Sequence, residues 1–353
     1  MNDLAKQIPA NKKPGLSGLF RSFLRPGEKK RKKTGTQHRN PFRVMVEKEI
    51  SDQVRSLRFI ILISIIALTT LGSLYTALTN IASAINPNDP AGSFLFLKLY
   101  TISDGTLPPY IVYVSFLGPL LGIGLGFDAI NQEQSRGTLS RLLAQPIHRD
   151  FIINAKFVAS LFVISVMFFA LAFLVMGIGI ISIGIPPTAE EFIRILIFIL
   201  LSIIYVAFWL NLSIIFSVQF RQPATSALAG LAVWLFFVIF YPMIINLITK
   251  AIEPSSAMAS AHQAINFDKF RLGLLRLAPN VLFSEATSTL LTPTVRSLGP
   301  LTMEQLQGTI PGPLPLGQSI FLIWPHLTAL ISATVACFVF AYVPFMRKEI
   351  RSR

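Results

Sequence analysis

Few residues of this sequence could do chemistry, and they do not converge. The four histidines are His38, His148, His262 and His326, and the one cysteine is Cys337. Each lies in a different stretch, so no zinc-type set assembles and no disulfide framework can form. A copper path would need methionine and cysteine ligands inside apolar runs, and eight scattered methionines do not supply one. Glu190-Glu191 with Arg194 could serve hydrolysis only beside a histidine at matching depth. None is placed there, so the group reads as a solvated loop cluster. Gly118, Gly122, Gly124 and Gly126 make a glycine-rich run, but it ends in Phe127-Asp128, without the Lys-Ser/Thr of a phosphate cradle. The pattern G-x-x-x-x-G-K-[ST] occurs nowhere in the chain. The sequence therefore predicts no catalytic residue, no metal and no cofactor bound by this chain. What remains is the polar stretch 126–156, in which Glu133, Arg136, Arg141 and Arg149 interleave with Leu139, Leu142 and Leu143. Those leucines fall on one helical face, so the chemistry on offer is docking: a short charged helix able to receive a soluble partner. Gly137-Thr138 reads as a break and restart, Pro146 as its end, and Asp150 as the N-cap of the helix that follows.

Apolar runs on both sides must hold that stretch in place. Of 353 residues 52% are hydrophobic and only 14% charged, far outside the soluble norm. Six runs lack any Asp, Glu, Lys or Arg: 59–78, 110–127, 157–185, 195–220, 224–249 and 320–346. About 20 such residues cross a bilayer as a helix, which predicts an all-α integral membrane protein of six transmembrane helices. Pro119, Pro242 and Pro325 are candidate kinks. Gly118, Gly122 and Gly126 repeat every four residues, a face on which a second helix can approach closely. His326 and Asn211, polar and inside runs, are expected to make helix–helix hydrogen bonds.

Net charge is +14, and its distribution excludes nucleic acid as the partner it implies. Residues 1–44 form a basic tail without apolar period, expected to be disordered and drawn to anionic lipid. Residues 45–57, with Val46, Ile50, Val54 and Leu57 on one face, predict an amphipathic interfacial helix lying on the membrane. With the amino terminus inside, 24 of the 31 Lys/Arg lie on the cytoplasmic side, so both termini are expected to be cytoplasmic. The outer side then holds a loop at 80–109 and a long one at 251–317. In the latter, Phe267, Phe270, Leu274 and Leu277 follow a helical stripe, Thr302–Gln305 has a capping-box pattern, and Pro300, Pro311, Pro313 and Pro315 stiffen the return.

The order Asp128, Glu133, Gly137-Thr138-Leu139, Leu142-Leu143, Pro146, Arg149, Lys156 resembles the cytoplasmic segment between spans two and three of export-type ATP-binding-cassette permeases. It looks most like the branch associated with maturation of multi-copper enzymes such as nitrous-oxide reductase. The resemblance implies a permease subunit of an exporter in the cell membrane, paired with a second copy or a homologue. A separate P-loop ATPase would carry ATP-Mg and dock on Asp128, Glu133, Arg136, Gly137, Thr138, Leu139, Leu142, Leu143, Pro146 and Arg149. The alternative is an ion-coupled secondary transporter. Such carriers use ionisable residues near the midplane, which the six runs omit. The cargo is not written in the sequence.

Overall fold

A computed structural model describes residues 40–81, 94–103, 105–138, 148–252, 261–295 and 312–347. It is an all-α membrane protein, and six of its helices are long and apolar enough to span a bilayer. Helix α1 (Pro41–Val54) precedes the first span, α2 (Leu57–Asn80). The second span is α4 (Tyr110–Gly126), followed by a turn and the five-residue α5 (Asn131–Ser135). The third and fourth are α6 (Arg149–Ile183) and α7 (Ala189–Gln219). The fifth is built from α8 (Pro223–Leu235), a π-helical turn (Phe236–Phe240) and α9 (Tyr241–Ile252), and the sixth is α12 (Leu316–Arg347). Three shorter helices lie at the end away from α1: α3 (Leu95–Thr101), α10 (Ala261–Leu275) and α11 (Pro279–Leu291).

The core gathers on α7. Residues Tyr205, Val206, Ala207, Phe208, Trp209, Leu210 and Asn211 are buried in succession, so this helix is covered on every side. It faces α4 across the small-residue seam, where a Cβ built on Gly122 would meet Val206 O at 2.7 Å and one on Gly126 would meet Leu210 O at 2.8 Å. Hydrogen bonds cross the same seam, from Tyr205 Oη to Ser115 O at 3.0 Å and from Ser213 Oγ to Ile123 O at 3.2 Å. Asn211 Nδ2 donates to Thr334 O of the sixth span at 3.1 Å. The π-turn has a local cause. Pro242 has no N–H to donate one turn back and its ring crowds that carbonyl, and Tyr241 N–H reaches Phe236 O, five residues back.

Several expectations give way here. Glu190, Glu191 and Arg194 are not a solvated cluster. Glu191 and Arg194 are buried, and Thr188 with Glu191 forms a capping box that starts α7 six residues before the expected span. Glu191 Oε1 also accepts from Phe96 N at 2.8 Å, which secures α3 inside the stretch read as loop. Its run Phe94–Tyr100 is apolar enough to bury Phe96, Leu97, Leu99 and Tyr100. Asp150 is not the N-cap of α6, because His148 is and Asp150 sits in the first turn, where its charge suits the helix dipole. Thr302–Gln305, Pro300 and Pro311 lie outside the described residues, as does the tail 1–39. The helical stripe at 267–277 does fall on a helix, α10, as far as Leu275, and its Phe270 is exposed.

Near α11, His326 of the sixth span does find the hydrogen bond expected of it. Its Nε2 lies 2.7 Å from Glu285 Oε2, which also accepts from Arg276 Nε at 2.7 Å. Burial pushes the Glu285 carboxyl up, but bonds from His326 and Arg276 outweigh it and hold the group below its ordinary value. A carboxylate with a depressed folded pKa stabilises the fold above its unfolded pKa, about 4.3, and loses that as pH falls through the folded value. Glu285→Gln should therefore cost about 2 kcal/mol at neutral pH. The gap to the native chain should close as pH is lowered through the carboxylate range, read as thermal midpoints in detergent. An unchanged gap at acid pH would remove the ionised carboxylate as its cause.

Candidate functional site

At the end of the bundle that bears α1, the chain between the second and third spans is tied down at four points. Residues 127–130 turn after α4, and Asp128 Oδ2 takes Arg58 Nη1 at 2.7 Å, which anchors the turn to the first span. The Arg58 guanidinium also lies over the Phe127 ring, 4.9 Å from its centre. Ser217, near the end of α7, offers its Oγ to Ile130 N at 2.9 Å and Asn131 N at 3.2 Å. This meets two backbone donors that the start of α5 would otherwise leave unpaired. Glu133 then reaches the third span, with Oε1 at 2.8 Å from Lys156 Nζ.

Lys156 is the centre of the arrangement. Its side chain is 9% exposed, and a second carboxylate, Glu49 Oε2 of α1, lies 3.0 Å from the same ammonium. A buried Lys is tolerated only when its charge and its donors are matched, and two carboxylates on one ammonium do that. Helix α6 runs 35 residues, about 52 Å at 1.5 Å per residue, well beyond the ~30 Å of a hydrocarbon core. That length allows its first two turns, which carry Arg149, Asp150 and Lys156, to project past the apolar slab. An open cavity of about 420 Å³ adjoins the cluster, bounded by α1, the starts of α2 and α5, the end of α4 and Lys156.

The described part of the segment is short. Helix α5 stops at Ser135, and Gly137 takes φ +68°, a left-handed conformation that ends it. Thr138 Oγ1 donates back to Glu133 O at 3.2 Å. Nothing here is arranged for bond making. The arrangement can transmit displacement: an element fixed by charge and hydrogen bonds to three helices.

The sequence pattern that describes ABC-2 family transporter proteins matches residues 43–350. The chain belongs to that family. It is thus a membrane permease of an ABC transporter, and no curated protein matches it closely enough to say more.

In this ABC-2 transporter protein the expected docking residues divide. Asp128, Glu133, Arg136, Gly137 and Thr138 stand together on the described turn, and Arg149 opens α6. Leu139, Leu142, Leu143 and Pro146 lie outside the described residues. Asp128 and Glu133 turn inward to Arg58 and Lys156, while Ser135, Arg136 and Gly137 are exposed. Sequence reasoning missed Glu49, Arg58 and Ser217 as partners, and it quoted Lys156 only as a motif residue. One signal was available: a lone lysine opening an apolar helix must find a carboxylate. Glu49, though, had been placed on the polar side of a helix supposed to face lipid.

Proposed function

We propose that this chain is the exporting permease of a cassette transporter whose separate P-loop ATPase docks on the segment between the second and third spans. The bundle end bearing α1 and α5 is then cytoplasmic, as the distribution of Lys and Arg supports. A cell-membrane location and pairing with a second permease follow from the same reading. The order of residues in the segment also supports a place in the branch associated with multi-copper enzyme maturation, without assigning copper as cargo. The observation that carries the proposal is the anchoring of the 127–138 turn to the first, third and fourth spans. A partner that closes on nucleotide can move the spans only through an element so fixed.

The test is co-expression with the ATPase, using Gly137→Pro as the variant. Proline cannot take the positive φ at this position and removes the N–H that reaches Gln134 O at 3.2 Å. Membrane insertion should persist while stimulation of ATP turnover by the permease falls by at least about fivefold, the low end of ordinary coupling between sites. Native-like turnover in that variant would take the docking role away from the turn.

A further inference from the structure

The amphipathic pattern of α1 suggests a helix resting on lipid, and one of its faces packs on the third span. The face that carries Phe42, Met45, Glu49 and Gln53 lies along the start of α6. Phe42 packs edge-on against Phe151, with ring centres 5.5 Å apart. Glu49 pairs with Lys156 at 3.0 Å, and Gln53 Nε2 donates to Ser160 Oγ at 2.6 Å. The partner numbers rise together, so the two helices run side by side in the same direction. Val54 and Leu57, expected on the apolar face, are left uncovered by protein, and Leu57 belongs to the next helix.

At its other end α1 is cut from the first span by a capped break. Ser56 Oγ donates to Gln53 O at 2.7 Å and accepts from Phe59 N at 3.3 Å, closing one helix and starting the next. Among the described residues, the arm has one charged tie to its neighbours, Glu49 to Lys156. That tie is shared: the ammonium that holds Glu49 also holds Glu133 of the docking turn. Leaving either carboxylate buried without its cation is costly, so the flexible Lys156 side chain favours a displacement that α1 and the turn share relative to α6. The cavity of about 420 Å³ beside them is the space into which such a movement can go.

We propose that Lys156 is a positioning residue that gears α1 to the docking turn, so that a displacement of residues 131–138 carries α1 with it. This rests on the reading of the turn as the ATPase docking element and goes beyond it, because it makes α1 a second moving arm. Glu49 is the residue that distinguishes the two ideas. It touches the gear and lies outside the docking segment.

The experiment uses the full permease–ATPase complex in lipid, in a Cys337→Ser background, with spin-label pairs. The labels go at Val44 on α1, Ser135 on the turn and Ile181 at the far end of α6, all exposed. Distances are read without nucleotide and after trapping with ATP and vanadate. In the native ion-pair set, Val44 and Ser135 should both shift relative to Ile181 while keeping their mutual distance. Glu49→Gln should leave the Ser135–Ile181 shift in place and abolish the Val44–Ile181 shift, with coupled turnover reduced roughly fivefold or more. Glu49→Asp, which keeps the charge, should restore both. If the Val44–Ile181 shift survives in Glu49→Gln, or never occurs in the native set, the gearing is wrong while the docking reading stands. If Ser135 does not move relative to Ile181 in the native complex, the docking reading fails and the gearing fails with it.

Discussion

Replacing Arg194 by methionine should destabilise the protein by about 3–5 kcal/mol, the range for removing one side of a buried ionic network. Its side chain is 0% exposed and its guanidinium is fully engaged. Nε and Nη2 meet Glu190 Oε1 at 3.1 and 2.8 Å. Nη1 donates to Leu290 O at 2.9 Å and Ser319 Oγ at 3.1 Å, and Nη2 to Leu314 O at 2.6 Å. One side chain thus joins the start of the fourth span, the end of α11, the approach to the sixth span and its first turn. Methionine fills much of the volume but answers none of those acceptors, and the Glu190 carboxylate loses its cation. Lysine keeps the charge without the planar fork, so Arg194→Lys should fall between the two. Thermal unfolding in detergent, followed by loss of the monodisperse peak, measures both. If Arg194→Met lies within about 1 kcal/mol of the native chain, this network is not what seats α11 and the sixth span.

The same residue shows how far the sequence can be read. The spans are legible because about twenty uncharged residues in a row have one structural meaning. Arg194 lies just outside such a run, and next to Glu190-Glu191 it looks like solvated charge. Only the fold brings Leu290, Leu314 and Ser319 to it, from about a hundred residues further along the chain. Helix α3 was hidden for a similar reason: seven residues are too few for a periodic signal, and burial among the ends of several spans and α11 defines it. The turn at 127–138 was legible as a position, since charges between two spans must lie at the membrane edge. Its anchoring was not, because Glu49, Arg58 and Ser217 come from three other helices and no local spacing links them. The long stretch between the fifth and sixth spans gave up α10 by periodicity but not α11. The partners that fix α11, Arg194 and His326, sit on the fourth and sixth spans.

The glycine seam should respond to a single methyl group in a graded order. At Gly122 an added Cβ would stand 2.7 Å from Val206 O and 2.9 Å from Leu210 N, both main-chain atoms of the buried α7. At Gly126 it would meet Leu210 O at 2.8 Å and Ser213 Cβ at 3.0 Å. Backbone in the most enclosed helix of the bundle cannot swing aside, so the whole α4–α7 contact must open. Gly122→Ala should cost about 3 kcal/mol, the upper range for overpacking, and Gly126→Ala nearly as much. Gly118→Ala meets only Val206 Cγ2 at 3.0 Å, so a small side-chain shift should hold its cost near about 1 kcal/mol. Gly124 is the control on the opposite face. Its added Cβ comes to 2.6 Å from Leu62 Cδ1, the tip of a flexible side chain on the first span, and that tip can rotate away. Thermal midpoints of the four alanine variants should therefore fall furthest at 122, then 126, then 118, with 124 close to 118. The order matters for transport as well as stability. The turn at 127–138 hangs from α4 and is pinned to α7 through Ser217. Opening the seam would loosen the turn from the core that, on the proposed function, it moves. If Gly122→Ala and Gly124→Ala are equally mild, the α4–α7 contact is looser than these distances require, and rigid transmission across it loses its basis.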